Sequence, residues 1–237
     1  MSVTRDSGFP VTAHSSADGT GTTTWPAFTT PATNRFVVAM MLGNGSAATA
    51  ISSFTSSNLT WASRLAVIDV TGAWRVEIYT AFAASVVTSE VISMTHTGSV
   101  HYGSRDLLIW SFNGGDVNSA GNTASINNWA SAATPQLAVT ATGGGSYLLV
   151  GVPYRSGGSD LAVDSNSTSE YDEGTGGGFG FTARAVSRTS STSGSLTLGF
   201  TGTPFDLQSL GGIEVKQAAA TVPQVPHNTY MVGILTQ

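Results

Sequence analysis

Acidic side chains crowd one stretch of this chain. Asp160, Asp164, Asn166, Thr168, Glu170, Asp172 and Glu173 follow one another closely. Asp164, Asn166, Thr168 and Glu170 alternate like the oxygen ligands of a calcium loop, because a hard cation wants several oxygens at close range. The pattern is incomplete. Ser169 stands where such a loop turns on Gly, and Thr175 where it closes on Glu. A solvated acidic loop accounts for the same residues, so no metal or cofactor is expected. Glu170 and Asp172, two apart on a strand, would share a face and could serve glycoside hydrolysis as a carboxylate pair. Such spacing is common, and the expectation is that the chain is not an enzyme.

Other catalytic signatures are missing. The histidines are His14, His96, His101 and His227, and none shows HExxH or HxH spacing. A zinc site is therefore unsupported, and all four read as structural. There is no Cys, which excludes thiol catalysis, a disulfide framework and a zinc ribbon. No G-x-S-x-G elbow occurs, and the Gly174–Gly180 run lacks the GK[ST] ending of a phosphate loop. The five Trp are Trp25, Trp61, Trp74, Trp110 and Trp129. Trp110 sits in an apolar run and Trp74 shares parity with Val76 and Ile78, so both read as core. Trp129 and Tyr154 are the aromatics placed to stack on a sugar ring.

The elements that must position these residues are β-strands. Twelve short runs read as strands, separated by Gly, Ser, Asn and Thr, from Thr22–Thr29 to Gly212–Lys216. In Trp74–Phe82, Val76 and Ile78 alternate with Arg75 and Glu77. In Ser195–Phe200, Leu196, Leu198 and Phe200 alternate with Ser195, Thr197 and Gly199. Period two with one polar face marks a half-buried antiparallel strand. Phe36–Leu42 and Leu107–Trp110 are apolar on both faces and predict central strands buried from two sides. No stretch carries a capped helical stripe, and no internal repeat of fixed period is visible. The pattern predicts an all-β, antiparallel β-sandwich, jelly-roll-like, with an extended C-terminal arm.

The chain has 237 residues, with 10% charged and a formal net charge of -5. That balance argues against nucleic-acid binding, which wants a basic face. No apolar run reaches the ~18 residues of a membrane span, and Met1–Ser16 lacks the layout of a secretory signal. Residues 1–19 read as an N-terminal segment, 20–217 as the sandwich and 218–237 as the arm. Val117–Thr134 reads as a long crossover loop. In the arm, Pro223 and Pro226 block regular structure. Tyr230, Met231, Val232, Ile234 and Leu235 then form an apolar end suited to docking on a neighbouring subunit.

The order of segments resembles a known group. Asn34-Arg35-Phe36-Val37-Val38-Ala39-Met40-Met41 opens a sheet, followed by Ile51–Phe54 and Leu59-Thr60-Trp61-Ala62-Ser63-Arg64. Then come Trp74-Arg75-Val76-Glu77-Ile78-Tyr79-Thr80-Ala81, Leu108–Asp116, Tyr147–Gly151 and Gly212–Val215. Over roughly residues 20–217 this resembles the jelly-roll β-sandwich structural proteins of tailed bacteriophages. The resemblance implies a non-enzymatic virion protein, an oligomeric capsid decoration protein that binds and stabilises the head surface. Its partners would be the major capsid protein or other virion proteins and further copies of itself. It would be made in the host cytoplasm and carried on the virion surface. The alternative is a tail or head fibre, or a receptor-binding domain, with Trp129 and Tyr154 against a host glycan.

Overall fold

The computed structural model describes residues 2–15, 21–44, 50–69, 74–97, 105–127, 134–155, 161–173, 181–202 and 209–219. Strands fill the first half in this order: β1 (Thr4–Arg5), β2 (Val11–Ser15), β3 (Gly21–Thr24), β4 (Arg35–Asn44), β5 (Ala50–Thr55), β6 (Ala62–Ile68), β7 (Trp74–Ala83), β8 (Ser93–Thr97) and β9 (Arg105–Asn113). The second half supplies β10 (Thr123–Ile126), β11 (Gln136–Ala141), β12 (Tyr147–Arg155), β13 (Ala162–Val163), β14 (Thr168–Asp172), β15 (Phe181–Thr189), β16 (Gly194–Thr201) and β17 (Leu210–Val215). Every strand pairing is antiparallel. Among the described residues no helix is long and apolar enough to cross a membrane.

The two halves repeat one topology. The first half makes a sheet in the order β2-β9-β4-β7-β6, with β1 also on β9, and a second sheet β3-β8-β5. The second half makes β10-β17-β12-β15-β14 and β11-β16-β13. Each strand of the second half is the strand of the first half eight places earlier. One irregularity repeats as well, although the bulge of β5 against β8 between Ile51 and Ser53 has no counterpart in β13. A bulge interrupts β6 against β7 between Ser63 and Leu65, and another interrupts β14 against β15 between Ser169 and Tyr171. Arg64 and Glu170 are thus the extra residues at equivalent places. The approach to β4 passes through Asn34 at φ 55°, and that to β12 through Gly145 at φ 83°.

Four sheets therefore stack in layers, with three apolar cores between them. Phe36, Val38, Met40 and Leu42 point from β4 toward the second half and meet Leu149, Ala183, Ala185, Ile213 and Val215. Val37, Ala39 and Met41 point the other way, onto Met94, Ile92 and Phe28. β12 behaves alike: Leu149 faces the first half, while Leu148, Val150, Val152 and Tyr154 face Leu198, Phe200 and Val139. The doubly apolar runs of the sequence, Phe36–Leu42 and Leu107–Trp110, lie in β4 and β9, strands buried on both faces. Trp74 and Trp110 lie in the core between the halves, as their parity predicts.

Two glycines let the halves approach closely. A Cβ on Gly151 would meet Met40 Sδ at 2.3 Å, and one on Gly211 would meet Val76 Cγ1 at 2.5 Å. Both sit on strands of the second half where strands of the first press against them.

The sheet takes in more than the twelve expected strands. β1 and β2 come from the N-terminal segment and cover the edge of β9. β10 lies inside the expected crossover loop and pairs with β17. The C-terminal arm beyond Ala219 lies outside the described residues.

Strand direction gives the stack two distinct ends. The connections β2–β3, β4–β5, β6–β7 and β8–β9 leave from strand ends at one end. So do their counterparts β10–β11, β12–β13, β14–β15 and β16–β17. Ser209, before β17, donates to the Trp74 carbonyl at the start of β7 over 3.0 Å, so both halves present this end together. At the opposite end Val3 N–H donates to the Gly145 carbonyl and Ala218 N–H to the Gly114 carbonyl. The described parts of both chain termini lie there.

Candidate functional site

At the end from which the eight connections leave, three titratable side chains meet. β2 and β9 pair so that His14 stands directly opposite Asp106. His14 Nδ1 lies 2.7 Å from Asp106 Oδ1 and 3.1 Å from Glu173 Oε1. Glu173 follows β14 and is fixed by its N–H to the Ala183 carbonyl, 3.1 Å. The site thus joins two strands of the first half to one strand end of the second. The Asp106 side chain is fully buried, that of Glu173 a fifth exposed and that of His14 a third exposed. Burial and the neighbouring Glu173 push the Asp106 carboxyl far above the ordinary carboxylate range. Tyr171, two residues before Glu173, is raised by burial and by both carboxylates.

A second polar cluster lies deeper, and its chemistry differs. Glu170 projects from the β14 bulge into the junction between the halves with its side chain 1% exposed. Its Oε1 accepts from Tyr147 Oη and Ser187 Oγ, each at 2.7 Å. Its Oε2 accepts from Trp110 Nε1 at 3.1 Å and from the Arg5 guanidinium. Burial raises the Tyr147 phenol to about 12. Four donors saturate this carboxylate, which makes it a structural tie.

This arrangement revises several sequence expectations. Glu170 is committed to the core and has no oxygen to offer a calcium loop. Asp164 is committed too: Oδ1 accepts from the Asn166 N–H at 2.8 Å and Oδ2 from Gln136 Nε2 at 2.5 Å. Asn166 and Thr168 are exposed. Asp164 therefore caps a turn whose Ser167 N–H returns to its own carbonyl. Glu170 and Asp172 do not share a face. Glu170 bonds Ser187, whereas Asp172 pairs with Arg184 at 2.8 Å, and those two β15 residues have opposite parity. The bulge causes this by breaking the alternation.

Tyr154 is fully buried in the core of the second half and offers no sugar platform. Trp129 lies outside the described residues, as do Tyr230, Met231, Val232, Ile234 and Leu235. So do His101 and His227. His96, on β8 opposite Ile51 of β5, is buried, its pKa lowered to about 4 by burial and by Arg105 and Arg75. His14 is the histidine that tertiary structure turns into part of a site. Local spacing carries no trace of it, because its partners come from β9 and from the other half. The one usable signal is its place at the end of a strand opposite an Asp.

Comparison with protein-family models, with curated proteins and with solved structures finds no match.

Proposed function

We propose that this chain is a non-enzymatic structural protein of a bacteriophage particle, an oligomeric protein that decorates and stabilises the head surface. One observation carries the reading. β17 runs toward the end of the stack opposite the eight connections, where Ala218 N–H donates to the Gly114 carbonyl. An arm leaving there can reach the particle while the connections face outward. Tyr230, Met231, Val232, Ile234 and Leu235 are its anchoring residues.

Two further features support a structural role. Eight matched strands per half, β2–β9 and β10–β17, in two packed sheets of this order, suit the jelly-roll architecture that the resemblance implies. The outer sheets also present hydroxyls: Thr22, Thr24, Ser52 and Thr55 on one, Thr140, Ser195 and Thr197 on the other. Thr22 and Thr95 hydrogen-bond across that surface at 2.9 Å. Among the described residues the exposed large apolar side chains are Val86, Val91 and Val117, scattered too thinly to form a patch.

Quantitative mass spectrometry of purified particles tests the reading, with hundreds of copies per particle expected. Deleting residues 219–237 should abolish particle binding and leave the sandwich folded. Normal binding by the truncated protein defeats the arm, and absence from particles defeats the virion role.

A fibre or receptor-binding role is the second reading. Trp129 belongs to the β10–β11 connection, whose flanking strand ends lie at the eight-connection end. There it would meet a host glycan. A silent glycan array, or unchanged binding by Trp129→Ala, counts against that reading.

A further inference from the structure

Among the described residues, buried carboxylates are matched by donors, with one pair as the exception. Glu214 accepts from the Thr142 N–H and hydroxyl and from Asn122. Glu90 accepts from the Asn58 N–H and side chain, both at 2.6 Å. Asp6 accepts from Arg35 Nε at 2.8 Å and Ser111 Oγ at 2.6 Å. Glu170 holds four donors. Among the described residues, Asp106 Oδ2 and Glu173 Oε2 are the buried carboxylate oxygens that take no hydrogen bond. The two carboxylates share one imidazole nitrogen and the Tyr171 hydroxyl, and these two donors cannot satisfy four carboxylate oxygens. Two acidic groups held together and short of donors are costly unless positive charge joins them.

We propose that His14, Asp106 and Glu173 bind a divalent transition-metal cation, of the zinc or manganese kind, that clamps the first half of the chain to the second. One ligand atom from each residue lies within 4.8 Å of the others. Two ligands on a common ion at about 2.1 Å stand roughly 3.0–3.4 Å apart. The observed 2.7 and 3.1 Å from His14 Nδ1 need only slight relaxation to reach that spacing. One imidazole nitrogen with two carboxylates suits a borderline cation and disfavours calcium, which prefers oxygen alone. Asp106 is fixed by strand pairing and burial. His14 and Glu173 are partly open to solvent, which gives the ion a way in. Because Glu173 comes from the second half, the ion stabilises the packing of one repeat on the other.

The test uses the full chain, stripped with a chelator and then freed of it. Zinc chloride, manganese chloride and calcium chloride are titrated by calorimetry and by thermal melting. The expected result is one zinc or manganese ion per chain. The melting temperature should rise by about 5–10 °C at a hundredfold excess over Kd, with little response to calcium. Asp106→Asn replaces one of the two crowded acidic groups with a neutral amide of the same shape, so the metal-free protein should melt no lower than the parent while the metal-induced rise disappears. His14→Ala, at a partly exposed position, should remove the same rise. No heat and no shift with zinc or manganese overturns the site. So does a shift that survives both substitutions, or a calcium response as large as that of zinc.

Discussion

The indole nitrogen of Trp110, on β9, donates to Glu170 Oε2, at the bulge of β14, over 3.1 Å and across the junction between the two halves. The bulge is what aims Glu170 inward. Without that extra residue, strand alternation would send its carboxylate toward the opposite face. Truncation by Glu170→Ala leaves Trp110 Nε1 and the Arg5 guanidinium without their shared acceptor. It also strips Tyr147 of its charged acceptor. Breaking a buried charged network by removing one partner costs about 3–5 kcal/mol. Urea unfolding should show the midpoint fall by the corresponding amount, with an unchanged slope. A change within error would mean that solvent reaches the cluster.

Close approach of the halves at Gly151 gives a steric prediction. Any side chain there must displace Met40 Sδ and Leu42 Cδ2, which a Cβ would meet at 2.3 and 2.9 Å. Gly151→Ala should destabilise by about 1–3 kcal/mol through overpacking. Combined with Met40→Ala, part of that loss should return, since the two positions contend for one volume. Strict additivity in the double-mutant cycle would show that the halves sit farther apart than described.

These two sites show what the sequence could and could not reveal. Phe36–Leu42 announces a strand buried on both faces because neither parity is polar, and the structure buries it so. Trp74, Val76 and Ile78 announce one inward face by alternation. β10, β13 and β14 escape notice because they are short, hydroxyl-rich or acidic, and their burial is partial. The duplication escapes notice because register, not residue type, is what repeats. Arg64 and Glu170 hold the same bulge with opposite charges, and the approaches to β4 and β12 both pass through positive φ, at Asn34 in one and Gly145 in the other. The His14–Asp106–Glu173 site is a product of strand pairing and of the packing of two repeats. Neither is written in local spacing.

Acid should weaken the first half through His96. Its folded pKa of about 4 lies below the 6.5 of an exposed imidazole, and neither ring nitrogen is hydrogen-bonded. The unfolded chain therefore binds the proton first as pH falls. Stability from the neutral ring is full above about pH 6.5 and is lost progressively down to about pH 4. The loss amounts to at most about 3 kcal/mol. Asp106, with its raised folded pKa, acts with the opposite sign over part of this range, so the measurement must be a difference. Stability of the parent minus that of His96→Leu should fall with acid between those limits. A flat difference would show that the ring is protonated in the folded protein.

Residues 2–15 are part of the sandwich, and removing the chain before residue 20 tests how far. Val3 and Phe9 belong to two of the cores. Asp6 ties Arg35 to Ser111, and Arg5 holds Glu170. β1 and β2 together cover one edge of β9, a strand buried over nearly its whole length. A chain starting at residue 20 would expose that edge, long and apolar, to other chains. It should lose the Arg5–Glu170 pair as well, and so melt well below the parent. Most of it should enter the insoluble fraction, with the remainder scattering light as aggregates. A soluble, monodisperse product melting with the parent would show that β9 is stable as an open edge, and that the sandwich begins where β3 does.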